Sequence, residues 1–185
     1  MNTIVTSKEE ILCVSRALIQ NQGWKAVNIR TVAKECNISI GSVYNYFENK
    51  ADLIAATVES VWHDIFHLSE HMFSFDDFSG CIEWIFSCMK EGEKKYPGFF
   101  TLHSMSFLGE EKSSGQERMA QSWIHIKKGL HYVLLCDKKV KENAFDETFT
   151  REKFIEIMFS LLLSALVKRD YDCTGIMGMM RRVLY

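Results

Sequence analysis

The sequence predicts an all-α protein, and three observations carry that prediction. One proline, Pro97, and ten glycines in 185 residues leave too few breaks for the many tight turns of a sheet protein. Apolar residues recur three and four positions apart along most of the chain, the spacing of one helix face. Ser, Thr, Asp or Asn stands just ahead of several of these runs, where a side-chain oxygen can accept from an orphan helix N–H. A composition that is 47% hydrophobic and 25% charged excludes disordered and fibrous classes, and the length suffices for a real core.

Each element has its own signal. Ser7 and Glu10 have the spacing of a capping box, and Ile11, Val14 and Leu18 then share a stripe, so a first helix runs from about Ser7 to Gln22 and closes at Gly23. Asn28 caps a second helix, Ile29–Cys36, with Ile29, Val32 and Ala33 inward. Asn37 tolerates positive φ, and Ser39 caps a third helix over Ile40–Tyr46. Asn49 with Asp52 opens a fourth, apolar-periodic helix through Leu53, Val61 and Ile65 that reaches Ser69 or His71.

Ser74 to Ser79 reads as a connector, and five further helices follow at about 78–95, 97–108, 115–136, 147–169 and 174–184. Pro97 suits the first turn of its helix, Gly109–Gly115 is a surface loop, and Asp146 or Thr148 caps the helix near 147. The domains read as 1–50, 51–71 as a connecting helix, and 72–185. The longest uncharged apolar stretch, Ile157–Val167, falls short of the roughly 18–20 residues that span a bilayer, and Met1–Glu10 lacks the pattern of a secretory signal. A cytoplasmic location is the expectation, with the six cysteines, none in a C-x-x-C pair, as reduced thiols.

The second and third helices, joined by a three-residue turn and buttressed by the first, have the geometry of a helix-turn-helix whose second member enters a DNA major groove. Val43 and Phe47 anchor the back of that member. Ser39, Gly41, Ser42, Tyr44, Asn45 and Tyr46 are left to face outward, and hydroxyls, amides and phenols are the usual donors to phosphates and base edges. Gly41 costs helix stability of up to ~1 kcal/mol, which points to a close approach of something to the backbone.

The run Ile29-Arg-Thr-Val-Ala-Lys-Glu-Cys-Asn-Ile-Ser-Ile-Gly-Ser-Val-Tyr-Asn-Tyr-Phe-Glu-Asn-Lys-Ala-Asp-Leu53 resembles the DNA-binding signature of the TetR family of transcriptional regulators, the specific part covering roughly residues 8–55. The resemblance implies an all-helical homodimer with an amino-terminal helix-turn-helix DNA-binding domain and a larger carboxy-terminal domain for dimerisation and for binding a small-molecule inducer. It also implies DNA contacts from Ser39, Ser42, Tyr44 and Asn45, from Asn28 and Thr31 before them, and from Lys50 after them. Asn37 and Ile40 depart from the family pattern, which often has glycine and a polar residue there. Residues 1–54 carry six basic side chains against five acidic ones, so a net of +1 adds little electrostatic attraction, and the whole chain is at −2.

In the carboxy-terminal two-thirds, Trp84, Phe99, Phe100, Phe107 and Trp123 are candidates to line an apolar effector pocket, with His103 as an orienting polar group. The helix near 147–169 is apolar over more than one core-facing stripe, and Ile155, Met158, Phe159, Leu162, Ala165 and Leu166, with Met180 of the last helix, are the candidate dimer seam. The expected function is a ligand-responsive regulator, a repressor that binds an inverted-repeat operator as a homodimer and is released by an apolar or aromatic effector, with no membrane partner and no cofactor. A metal-responsive regulator built on the His63, His67, Glu70 and His71 face is the alternative, since that spacing puts imidazoles on one helix side. An enzyme ranks last: no G-x-S-x-G, phosphate-binding loop or dinucleotide fingerprint occurs, and no catalytic or metal-binding residue is assigned.

Overall fold

The computed structural model describes residues 6–66, 75–100 and 114–185, the last stretch with side chains from Trp123 onward. Among the described residues there are eight α-helices and no strand: α1 (Lys8–Gln22), α2 (Ile29–Glu35), α3 (Ile40–Tyr44), α4 (Lys50–Phe66), α5 (Phe78–Lys95), α6 (Ser114–Cys136), α7 (Arg151–Lys168) and α8 (Thr174–Leu184). None of these helices is long and apolar enough to cross a membrane. The chain forms two compact units, Met1–Ile65 with Lys94–Pro97, and Phe66–Glu93 with Gly98–Tyr185.

In the first unit, local chemistry sets each helix start and the ends of α1 and α2. The Ser7 hydroxyl accepts from Glu10 N–H at 3.1 Å while the Glu10 carboxylate accepts from Ser7 N–H at 2.9 Å, a complete capping box. Gly23, at φ 80°, ends α1 by donating its N–H to Ile19 C=O. Asn28 Oδ1 accepts from Thr31 N–H to start α2. Asn37, at φ 54°, ends it: Ile38 N–H reaches Ala33 C=O and Asn37 N–H reaches Lys34 C=O, the paired bonds of a left-handed helix stop. Asn49 Oδ1 accepts from Asp52 N–H, and the Asp52 carboxylate accepts from Glu48 N–H, repeating the reciprocal cap at α4.

Helix α3 stops at Tyr44, two residues short of the Ile40–Tyr46 expected. The N–H groups of Tyr46 and Phe47 both go to Val43 C=O, which tightens the last turn and drops Phe47 into the core. Val32, Val43, Phe47 and Leu53 are buried there with Ile11 and Ile19. Burying a side chain of this size stabilises the unit by about 2–3 kcal/mol. Ser15 and Thr57, both buried, donate to the carbonyls of Ile11 and Leu53 one turn back, so neither is an orphan polar group.

The end of α5 also belongs to this unit, through Asp64. Its carboxylate accepts from Tyr96 Oη at 2.8 Å and pairs with Lys95 Nζ at 2.6 Å, while Arg16 bridges Ser60 and Glu9 nearby. Burial pushes the Asp64 carboxyl up, but the Lys95 and Tyr96 hydrogen bonds and the charges of Lys95 and Arg16 outweigh it and hold the pKa below the usual carboxylate value. A folded-state pKa below the unfolded one, about 3.9, means that this stabilisation is complete above about pH 4 and is lost as the pH falls. Acid unfolding curves of Asp64→Asn are therefore expected to be shallower than those of the native protein below about pH 4, and parallel curves would contradict the assignment.

In the second unit, α5 begins where expected, with Asp77 Oδ1 accepting from Gly80 N–H, so the connector stops at Asp77 and Phe78 is already helical. Phe99 and Phe100 are helical after a turn through Pro97 and Gly98, the latter at φ 77°, which places Pro97 ahead of that helix. Ser114 and Gly115, expected in the Gly109–Gly115 loop, lie inside α6, and the rest of that expected loop lies outside the described residues. Helix α7 starts four residues later than the 147–169 expected. Thr150 is its cap, because the Asp146 carboxylate is already taken by Thr148 and Phe149 in the turn before it.

A buried carboxylate ties this unit together. Asp137, at the end of α6, accepts from Phe78 N–H at 2.9 Å and from Tyr185 Oη at 2.6 Å through one oxygen, and from Lys139 N–H through the other. Burial, then the Asp137 hydrogen bond, pushes the Tyr185 phenol up to about 12. Two aromatic groups fill the interior: Phe78, Phe145 and Phe149 around Phe154, and Phe66, Trp84, Phe99, Phe100 and Tyr171 in a chain of ring contacts. All six cysteines are free, and burial raises the Cys81 and Cys88 thiols to about 12 and about 11, which keeps both protonated and unreactive.

Candidate nucleic-acid interface

Helix α3 is held from behind and open in front. Val43 is fully buried, whereas Tyr44 is 51% exposed, Ile40 45% and Tyr46 39%, with Ser39, Gly41 and Asn45 exposed beside them. The geometry divides the expected DNA-contacting residues into two groups. Ser39 Oγ caps α3 by accepting from Ser42 N–H and lies 2.8 Å from Ser42 Oγ. Asn28 is fully engaged, its Nδ2 donating to Ala26 C=O and Thr31 Oγ1 while its Oδ1 caps α2. Tyr46 Oη donates to Thr6 C=O at 2.5 Å. These side chains hold the element in shape.

Tyr44, Asn45 and Lys50 form the other group: their side chains are exposed and make no polar contact to the protein among the described residues. Gly41 belongs with them. Its backbone is not left-handed, and a Cβ added there would meet only Ser39 Oγ, at an ordinary 3.6 Å. No contact inside the chain, among the described residues, requires glycine at that position.

The ridge that results is a rigid polar edge one short helix long, with a smooth spot at Gly41 and phenol and amide donors beside it. Residues 11–57, which contain the whole ridge, match the model of bacterial regulatory proteins of the tetR family. Residues 11–57 are thus similar to a TetR family DNA-binding domain. A solved TetR transcriptional regulator from Legionella pneumophila is similar in fold, with a TM-score of 0.63 and 20% identity over 99% of this chain and 100% of that one. No curated protein matches the sequence.

The other expected sites fare differently. Trp84, Phe99 and Phe100 do come together, through Phe66, with Phe99 and Phe100 fully buried. Trp123 is elsewhere, edge-on to Phe159 at 4.9 Å, and His103 and Phe107 lie outside the described residues. Of the expected dimer seam, Ile155, Met158, Phe159, Leu162, Ala165, Leu166 and Met180 are all buried within the single chain. The opposite side of α7 carries the exposed Ile157 and Val167 and the half-buried Leu161 and Ser164.

His63 is exposed on α4, while His67, Glu70 and His71 lie outside the described residues. Among the described residues no group of three His, Cys, Asp or Glu side chains is placed to hold a metal. What the residue pattern missed are the long-range partners, Asp64 with Tyr96 and Asp137 with Tyr185, which no local spacing announces.

Proposed function

We propose that this regulator binds an inverted-repeat operator as a homodimer, represses from it, and is released by a small apolar or aromatic effector. Tyr44, Asn45, Ser42 and the backbone at Gly41 read the major groove, and Lys50 and Thr31 meet phosphates on either side. The observation that carries this reading is Gly41, a glycine that the chain's own packing does not need, set in the middle of an otherwise polar exposed ridge. A helix of five residues reads few base pairs, so specificity requires two copies on half-sites about one helical turn apart.

Pairing is supported by α7, which is apolar over more than one core-facing stripe. One side fills the core, and the side with Ile157, Leu161, Ser164 and Val167 suits an isologous seam, flanked by the half-buried Ile176, Met179 and Val183 of α8. Release follows from linkage: an effector that prefers the conformation with the wrong spacing of recognition helices lowers DNA affinity by its preference. The aromatic chain around Trp84, Phe99 and Phe100 is the apolar surface next to which such a ligand would sit.

Selection of bound sequences from random duplexes tests the reading. The native protein is expected to enrich an inverted repeat, and Tyr44→Ala to lose that enrichment while folding normally, since Tyr44 is exposed and supports no core contact. Failure of the native protein to enrich any duplex would sink the proposal, and enrichment of a single unpaired half-site would sink its dimeric part.

A further inference from the structure

We infer that Lys8 is an additional phosphate contact of the DNA-binding unit and that Tyr46 is a positioning residue which holds it there, an inference that rests on the DNA-binding reading above. Two contacts fix the start of α1 to the exit of the recognition helix. Tyr46 Oη donates to Thr6 C=O, forty positions back in the chain, and Lys8 Nζ stands 5.6 Å above the ring of the buried Phe47. The two anchoring side chains are consecutive, and the two anchored residues bracket Ser7, whose capping box makes the first turn of α1 rigid. Thr6 to Lys8 are therefore part of the same rigid body as the Tyr44 and Asn45 edge.

The charge pattern says what Lys8 does there. Its neighbours Glu9 and Glu10 are both committed, Glu9 to Arg16 at 3.0 Å and Glu10 to the Ser7 N–H. Among the described residues Lys8 forms no ion pair, and it is exposed. Lys50, expected as a phosphate contact, opens α4 three residues after Phe47. Two exposed lysines thus flank the segment where the chain leaves the recognition helix, one of them delivered by Tyr46 and Phe47 from the far end of the unit. A cation resting over an aromatic face keeps its charge and some of its hydration, so it stays available to a phosphate oxygen. Tyr46, whose hydroxyl the protein itself uses, acts through Lys8 and makes no base contact of its own.

The test uses the full chain and the best duplex from the selection, with affinity measured over a salt series for the native protein, Lys8→Gln, Tyr46→Phe and the double variant. Lys8→Gln is expected to reduce the steepness of log affinity against log salt by about 0.9 per subunit, and to weaken specific and random duplexes alike. Tyr46→Phe, which removes only the hydroxyl that anchors Thr6, is expected to weaken binding, and in the Lys8→Gln background to add less than about a further twofold, because there is no longer a lysine to place. An unchanged salt slope in Lys8→Gln, or additive effects of the two substitutions, would overturn the inference. Either result with native DNA binding intact leaves the proposed function standing, whereas a native protein that binds no duplex removes both.

Discussion

Gly41→Ala is expected to make the free protein slightly more stable and its DNA complex much weaker. The stabilising half follows from the chain alone. Position 41 lies inside α3 with an ordinary helical backbone, the new Cβ would rest 3.6 Å from Ser39 Oγ, and beyond its chain neighbours and own helix backbone no other atom comes within 4 Å. Replacing glycine by alanine at such a site stabilises by about 0.4–1 kcal/mol, mostly by restricting the unfolded chain. For a chain of this length that is a rise in Tm of roughly 1–4 °C.

The weakening half follows from the duplex. A backbone kept bare so that groove atoms can approach is overpacked by one methyl group, at a cost of about 1–3 kcal/mol, which is about 5- to 150-fold in affinity. Few substitutions move stability and affinity in opposite directions, so the pair of measurements, thermal unfolding and duplex titration, is diagnostic. Unaltered affinity together with the raised Tm would mean that DNA does not approach α3 at its second residue.

Asp137→Ala is expected to lower stability by about 3 kcal/mol, with a fall in Tm of roughly 6–12 °C. Three donors converge on that carboxylate: Phe78 N–H at the start of α5, Lys139 N–H just past α6, and Tyr185 Oη at the end of the chain. Alanine leaves the buried Phe78 N–H without an acceptor, and each unsatisfied buried group costs about 1–3 kcal/mol. Tyr185→Phe in the Asp137→Ala background is expected to cost almost nothing further, since the phenol has lost its acceptor already. Equilibrium denaturation of the four proteins measures this, and a loss below about 1 kcal/mol for Asp137→Ala would show that the three bonds do not hold the unit together.

Much of the amino-terminal unit was legible in the order of residues. Ser7 with Glu10, Asn28 with Thr31, Ser39 with Ser42 and Asn49 with Asp52 each close a helix start within three residues, and Asn37 takes the left-handed turn its side chain tolerates. Such signals survive in a linear reading because both partners lie within one helical turn. The outward ridge of α3 follows from the same logic, since Val43 and Phe47 set which side faces in. The length of α3 did not follow: Tyr46 and Phe47 leave the helix because the chain must bend there to bury Phe47 and bring Tyr46 to Thr6.

What the residues alone determined, then, is the helical class, the capped helix starts and the face of the helix-turn-helix, all products of interactions that span a few positions. Only the tertiary structure decided which side of α7 lies in the core, because a helix apolar over so wide an arc carries little phase in its periodicity and its neighbours choose for it. It also decided that Asp64 meets Tyr96, that Asp137 meets Tyr185 and that Lys8 stands over Phe47. Those pairings join positions tens of residues apart, and their partners are fixed by the packing of whole helices.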